Sequence, residues 1–432
     1  MRRDLRWRRR AAPFACACLL AAPLLLVVLA RRLLARGAPT ALRERVTGAG
    51  ARPPPGGVLV HGVSMGEVML MRALVPRLES ATGLRCVPST ATATGHAALA
   101  KQFPDRVRCA LPLDLPWAVA CFLRRVRPRA LILLESEIWP LLLCGCFERG
   151  IPVFIVNARI GADSFRGYRR AGPWLGPLFR QIDTACAQNP TWAARLRRLG
   201  VARCRVTGSL KADMVVPADA AQREAEAQRI ALVPGAAEDK RVLLLASTGP
   251  DEELPLIRSW QRWGREHGWR LVVCPRHPER GPAIVATCAQ LDLRAVRSSQ
   301  AAELTQAQTY DVIVVDEIGR LSALYANAAI AVVGGGLGSG RGGQNMLEAA
   351  AAGCCTVVGP DWRNQPDAMA VLQAADAVAV VDPADPDPVL CALASDPARR
   401  AAMGRRAREA WAGARGATAR TVAELAPRLP RA

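Results

Sequence analysis

Four short stretches of this sequence place reactive side chains directly after apolar runs, where a sheet would present them to a ligand. In the first, VLVHGVSMGEV (58–68), a buried run ends at His61 and a Gly/Ser loop leads into a helix beginning near Glu67. A carboxylate at that position either caps the helix, worth about 0.3–1 kcal/mol, or serves as a general base. The spacing accommodates both. In the second, LILLESEIWP (131–140), Glu135 and Glu137 flank Ser136 at the end of an apolar strand. Strand alternation then sends them to opposite faces, one toward a ligand and the other solvated or paired.

The third stretch, CPRHPER (274–280), sets Arg276, His277 and Arg280 in a proline-stiffened loop. That is either a clamp for phosphate or carboxylate or a basic turn in an arginine-rich chain. The fourth, AVVGGGLGSGRGGQNMLEAAAAG (331–353), runs a strand into a glycine-rich loop, with a helix expected to start near Gln344. Such loops hold phosphates with backbone amides at a helix N-terminus. Gly338, Gly340 and Gly343 match G-x-G-x-x-G, with Asp361 beyond, but a dinucleotide fingerprint belongs beside the first strand of its domain and this one comes late. Asn345 and Glu348, three apart on a first helical turn, suit a ribose diol. Lesser signals are the Ser/Thr-rich STATATGHA (89–97), suited to sugar hydroxyls or a carboxylate, and VTGSLKAD (206–213), which sets Lys211 in a turn. Segment 164–182 interleaves Phe165, Tyr168, Trp174 and Phe179 with Arg166, Arg169, Arg170 and Arg180. It suits a lipid interface or an ordinary packed helix with a basic outer side.

Positioning these residues requires a scaffold, and the apolar runs describe one. Val58–His61, Ala130–Leu134, Val153–Val156, Val242–Ala246, Leu271–Cys274, Val312–Val315, Ile330–Val333 and Thr356–Val358 read as short strands, apolar throughout and separated by helical stretches. That pattern predicts an α/β fold with parallel sheets covered by helices on both faces. The runs form two sets on either side of 216–238, an Ala- and charge-rich stretch with Pro at both ends that reads as a linker containing a helix. The expected organisation is an anchor at 1–36, a Rossmann-like domain at 37–215, the linker at 216–238, and a second Rossmann-like domain at 239–432. Two such doubly wound domains facing one another would bind ligand in a cleft at the carboxyl ends of their strands.

Composition narrows the partners. The chain has 432 residues and a net charge of +21, which favours an anionic partner. Nucleic acid is set aside, because no zinc-finger spacing, RNP-like stretch or basic–heptad pattern occurs. The 14 cysteines contain no C-x-x-C pair and only four His accompany them, so buried thiols are expected rather than disulfides or a zinc site. Residues 2–10 hold six arginines and 11–30 carry no charge. Twenty such residues can just span a bilayer, and with Arg31 and Arg32 following directly an uncleaved anchor is favoured over a signal peptide. Pro13 and Pro23 leave half-insertion open.

In series, these motifs resemble the 3-deoxy-D-manno-octulosonic acid (Kdo) transferase family of lipopolysaccharide assembly. The resemblance runs from the anchor and the V-S-x-G-E loop through LPLDLP (111–116), ESEIWP, GIPVFIVNARI (150–160), VTGSLKAD, PRHPER and GGQNMLEAAAAG, in the family's order. It implies a two-domain fold of the glycosyltransferase B type at the cytoplasmic side of the inner membrane. It further implies inverting transfer without metal or cofactor, from CMP-Kdo to a lipid A precursor (lipid IVA) at an anionic membrane surface. By motif match, Glu67 is the base, and Glu135 and Lys211 stabilise the transition state. CMP should meet Pro275 and Arg276, the turn Ile318–Gly319–Arg320, and Asn345, Met346, Leu347 and Glu348. The chain departs from the family at Gly336 (usually Ser), Arg320 (usually acidic) and Gly249–Pro250 (usually His or Arg after Ser-Thr), and GPDWRNQPD (359–367) keeps Asn364 without the usual His and Phe. These changes gather in the donor half. They keep open a related transferase with another CMP-sugar or acceptor, or a non-catalytic homologue that binds sugar nucleotide or lipid.

Overall fold

A computed structural model describes residues 39–229, 241–300, 310–338 and 340–430. The chain divides into two compact units, Met1–Met214 with Gly416–Ala432, and Val215–Arg415. The anchor expected at 1–36 lies outside the described residues; among those described, no helix is long and apolar enough to cross a membrane.

The first unit is built on β1 (Val58–His61), β2 (Cys86–Thr90), β3 (Cys109–Ala110), β4 (Ala130–Leu134), β5 (Val153–Ala158), β6 (Thr184–Ala187) and β7 (Cys204–Val206). They form one sheet in the order β3-β2-β1-β4-β5-β6-β7, parallel throughout, with Val58 opposite both Cys86 and Ala130. Helices that bear on the site are α1 (Met65–Thr82), α2 (Ala93–Gln102), α3 (Pro140–Glu148), α4 (Ala162–Arg170), α5 (Gly172–Phe179) and α6 (Leu210–Met214). Both sheet faces are buried, which explains strands that are apolar at every position rather than at alternate ones. Leu59, Leu131, Leu133 and Ile155 pack on one side, and Val58, Val60, Ile132 and Val156 on the other.

The second unit opens with α7 (Ala220–Arg229), followed by β8 (Val242–Thr248), α8 (Pro250–Trp263), β9 (Arg270–Pro275), β10 (Ala295–Arg297), β11 (Val312–Val314), α9 (Leu321–Asn327), β12 (Ile330–Val333), α10 (Leu347–Ala352), β13 (Cys355–Val358) and β14 (Val378–Val380). Its sheet is also parallel, in the order β10-β11-β9-β8-β12-β13-β14. Strand order reverses between β1 and β4 in one sheet and between β8 and β12 in the other. Ligands of doubly wound sheets bind outside such reversals, and the loops that leave those four strands carry most of the residues singled out above.

Two boundaries differ from expectation. The last helix, α11 (Ala417–Leu425), belongs to the first unit. Its Ala417, Val422 and Leu425 join the core beneath α1, and Asp213 accepts from Gly416 N and Thr418 N, each at 2.6 Å. The helix in the expected linker, α7, packs on α9 of the second unit, where Asn327 Nδ2 donates to the Arg223 carbonyl at 3.1 Å. The described cysteines are free and mostly buried. Burial pushes several thiols, such as Cys86 and Cys146, up to about 12.

Candidate functional site

In the first unit the chain leaves β1 at His61 and turns through Gly62, where a Cβ would stand 2.8 Å from that of Glu67. Only glycine allows the loop to fold back so closely on α1. Ser64 is the N-cap of α1 and Glu67 its third residue, and together they make a capping box, each satisfying a backbone amide the helix leaves open. Glu67 Oε2 accepts from Val63 N at 2.8 Å, and Oε1 accepts from Ser64 Oγ at 2.7 Å and Ser64 N at 3.3 Å. The residue is 7% exposed. Cap and candidate base are therefore one side chain.

The Ser/Thr-rich stretch braces this loop. Thr90 and Thr92 both donate to the Val63 carbonyl at 2.9 Å, and Thr92 also caps α2 by accepting from Gly95 N at 3.1 Å. Those two hydroxyls, read as suited to sugar hydroxyls or a carboxylate, instead brace the loop that carries Glu67. His61 lies buried with Nδ1 3.2 Å from Ser89 Oγ. Burial, then the charge of Arg45, lowers its pKa to about 3, so the imidazole is neutral. Its ring meets Trp139 edge-on at 6.3 Å.

After β4, Glu135 adopts φ +59, a left-handed conformation uncommon for a residue with a side chain. This overturns the alternation expected for Glu135 and Glu137. The strand has ended at Leu134, and both carboxylates line one cavity of about 540 Å³ with Trp139, Arg159, Ser164 and Tyr168. Partial burial, then the negative charges of Glu67 and Glu135, raise the pKa of Glu137, so the three carboxylates share one electrostatic neighbourhood. Asp114, from LPLDLP, secures the turn: its carboxylate accepts from Leu141 N at 2.9 Å and Leu142 N at 2.8 Å at the start of α3. Burial outweighs those bonds and pushes Asp114 up to about 6.

Lys211 sits on α6, and among the described residues it has no hydrogen bond or ion pair. Its helix is placed by Asn157, whose Oδ1 accepts from Leu210 N at 3.0 Å while Gln188 Nε2 donates to its carbonyl at 2.7 Å. Asn157 is fully buried at φ +54. Its role was not read from the sequence, although an Asn closing an apolar strand was the available signal.

In the second unit Gly249 is the N-cap of α8 and, having no side chain, forms only half of such a box: Glu252 accepts from its amide. Glu252 goes further. Its buried carboxylate accepts from Gly249 N at 2.9 Å, from Gly335 N at 2.8 Å and from Leu337 N at 2.9 Å, and lies 3.0 Å from Arg341 Nη2. Gly342 N donates to Asp361 Oδ2, Gly343 N to the Gly335 carbonyl and Gln344 N to the Gly334 carbonyl. The expectation that this loop cradles a phosphate with these amides is thereby corrected: a carboxylate of the chain already fills that role. Gly249 also admits Arg341, because a Cβ there would be 1.4 Å from Arg341 Nη1. Gly336 passes so near the 359–361 segment that a Cβ would be 2.7 Å from the Asp361 carbonyl oxygen. Asn364 holds the loop from that side, its Nδ2 donating to the Arg341 carbonyl at 2.7 Å.

The helix expected near Gln344 starts instead at Leu347, because Gly342 and Gly343 take positive φ and Asn345 Oδ1 accepts from Leu347 N. Asn345 Nδ2 donates to Glu348 Oε1 at 3.0 Å. Burial raises the pKa of Glu348, while Asn345 and the charge of Arg276 pull the other way, which puts Arg276 within electrostatic reach of Glu348. Arg276 is exposed and, among the described residues, unpaired; its amide donates to the Thr248 carbonyl at 2.9 Å. Pro275, Met346 and Leu347 are buried. Arg280 is withdrawn from any clamp by a 2.5 Å ion pair with buried Glu253, and exposed His277 faces Glu279 at 3.5 Å. Ile318 is 89% exposed and Gly319 takes φ +91, whereas Arg320 is held by Glu226 and Glu317. Among the described residues no group of three or more His, Cys, Asp or Glu side chains is disposed to hold a metal ion.

Residues 40–214 match the family model described as 3-deoxy-D-manno-octulosonic-acid transferase (kdotransferase). Over 338 residues the chain is 35% identical to the 3-deoxy-D-manno-octulosonic acid transferase of Bordetella pertussis, covering 74% of this chain and 76% of that one. The corresponding Haemophilus influenzae transferase is 31% identical over 325 residues, 74% of each chain. Among solved structures, MurG from Acinetobacter baumannii superposes with a TM-score of 0.55 at 15% identity, covering 86% of this chain and 99% of that one. UDP-GlcNAc 2-epimerase from Neisseria meningitidis, bound to UDP-GlcNAc, gives 0.53 at 13% identity, covering 81% and 94%. These two likenesses are of fold.

Proposed function

Since the chain belongs to the Kdo transferase family, we propose that it transfers Kdo from CMP-Kdo to a lipid A precursor such as lipid IVA, inverting the anomeric centre without a metal ion. The observation that carries this reading is the carboxylate neighbourhood of Glu67, Glu135 and Glu137, set beside the strand-order reversal of the first unit. Glu67 accepts the proton of the acceptor hydroxyl as that oxygen attacks the anomeric carbon of Kdo. The bond to the CMP phosphate breaks on the opposite side, and CMP leaves with the bonding pair. Lys211, a cation with no partner among the described residues, stabilises the developing phosphate charge. Glu135, held in its left-handed conformation, orients the acceptor and supports the electron-poor anomeric carbon. In the second unit, Arg276 meets the nucleotide phosphate, Glu348 accepts from the ribose hydroxyls, and main-chain groups of Pro275, Ile318–Arg320 and Met346–Leu347 contact the rest of CMP.

The same reading places the protein at the cytoplasmic face of the inner membrane, with 1–36 as anchor. Its support within the described residues is α4–α5, where Trp174 is 61% exposed and Arg166, Arg169 and Arg170 share the preceding helix. An anionic lipid surface suits that mixture of aromatic and basic side chains.

The test is incubation of the purified protein with CMP-Kdo and lipid IVA, following glycolipid and CMP. Transfer that persists in EDTA supports the reading. Binding of CMP-Kdo without transfer would overturn it in favour of a non-catalytic homologue, and loss of activity in EDTA would overturn the metal-free step.

A further inference from the structure

The turn at 317–320 is fastened from outside the motifs. Arg320 Nε donates to Glu226 on α7, and Nη1 donates to Glu317 Oε2 at 2.9 Å. Both partners of the first pair are nearly withdrawn from solvent, their side chains 12% and 6% exposed. A guanidinium and a carboxylate buried together depend on each other, because removing either leaves a poorly solvated charge. α7 is itself secured to α9 by Asn327, whose Nδ2 donates to the carbonyls of Arg223 and Ala323. The Ala323 bond is internal to α9, so Asn327 ties the two helices at their contact. Arg320 also accepts from Leu324 N through its carbonyl, so the pair fixes the point where the turn becomes helix. What precedes it is exposed: Ile318 faces solvent and Gly319 stands in the left-handed region. A cavity of about 290 Å³ beside the turn is lined by Gln222, Glu226, Gly319, Arg320 and Ser322.

We propose that Glu226 is a positioning residue for nucleotide binding: through Arg320 it holds the main chain of Ile318 and Gly319 in the orientation that contacts CMP. This rests on the reading that the 318–320 turn touches the nucleotide. The side chain of Arg320, engaged by two carboxylates, supplies rigidity and leaves recognition to the peptide groups beside it. A turn held by one buried pair loses affinity when the pair is broken, because its ordering must then be supplied on binding. The transferring bond lies elsewhere, so the consequence falls on donor affinity more than on the chemical step.

The experiment is calorimetric titration of the full chain with CMP, together with KM for CMP-Kdo and for acceptor. It uses the parent protein, Glu226→Ala, Glu226→Gln and the exchanged pair Glu226→Arg with Arg320→Glu, each with a melting curve. The expected result is a rise of about tenfold in CMP Kd and donor KM for Glu226→Ala, an unchanged acceptor KM, and a smaller loss in kcat. Glu226→Gln, which keeps the hydrogen bond, should lose less, and the exchanged pair should recover most of the affinity. A folded Glu226→Ala protein that binds CMP as tightly as the parent would overturn the clamp alone. Failure of the parent to bind CMP would overturn the nucleotide reading on which it rests.

Discussion

Glu67 and Glu252 occupy the same local place in the two units. Each is the third residue of the helix that follows the first strand of its sheet, and each accepts from the backbone amide of its N-cap residue. Their surroundings differ. The hydrogen bonds that hold Glu67 come from Val63 and Ser64 within its own loop, and the next charges in its neighbourhood are carboxylates. Glu252 is met by amides from 83 and 85 residues away and by a guanidinium. The same strand–loop–helix device thus holds the proposed base in one unit and an internal anion that organises a glycine loop in the other. The capping geometry does not decide the role; what approaches from the neighbouring strand does.

The sharpest way to break this comparison is Glu67→Gln. Glutamine still completes the box, so the unfolding midpoint should stay near that of the parent while kcat falls about 10²–10⁴-fold. Stopped assays of CMP release with parallel circular dichroism would check this, and an undiminished rate would reduce Glu67 to a cap. Glu252→Ala should do the reverse. It leaves the amides of Gly249, Gly335 and Leu337 without their acceptor and Arg341 without one of its carboxylates, a cost of about 3–5 kcal/mol measurable by urea unfolding. A loss below about 1 kcal/mol would mean that the loop is held by its other contacts.

Ser64→Ala removes the N-cap of α1 and one donor to Glu67. Stability should fall by about 1 kcal/mol, and kcat should fall with it, since the carboxylate is no longer fixed. A further effect concerns acid. His61 is held neutral down to about 3, whereas an unfolded histidine protonates near 6.5. The stability this contributes is fully present above 6.5 and is lost as pH falls toward 3. Denaturant midpoints of parent and His61→Phe between pH 7 and 4.5 should therefore show a shallower acid loss in the variant; parallel profiles would show that the folded protein already protonates His61.

Much of this arrangement was legible in the sequence because it is local. Ser64-x-x-Glu67 announces its own cap, and strands buried on both faces announce themselves as unbroken apolar runs. β2 escaped because Pro88 and Ser89 interrupt such a run. Proline is tolerated there since β3 pairs only with Ser89 and Thr90, so its missing N–H falls outside that ladder. Glu135 was misread for a different reason: alternation holds only while the backbone stays extended, and the chain leaves β4 by a positive φ that no residue type at 135 signals. The fate of the glycine loop was hidden because its anion arrives from α8, far back in the chain, and Gly249 presents no side chain by which to recognise a cap. Glu226, lying in a stretch of Ala and charge, offered no sign that it would find Arg320.

The return of α11 to the first unit orders events during synthesis. The ribosome finishes the first sheet long before it reaches residue 416, yet Ala417, Val422 and Leu425 are part of the apolar layer beneath α1. Until they emerge, that layer is open and Asp213 lacks the amides of Gly416 and Thr418. Domains generally fold as their residues become available, so the unit made first is the last to be sealed. A nascent chain stalled between the units would carry an uncovered apolar face, a surface that chaperones recognise.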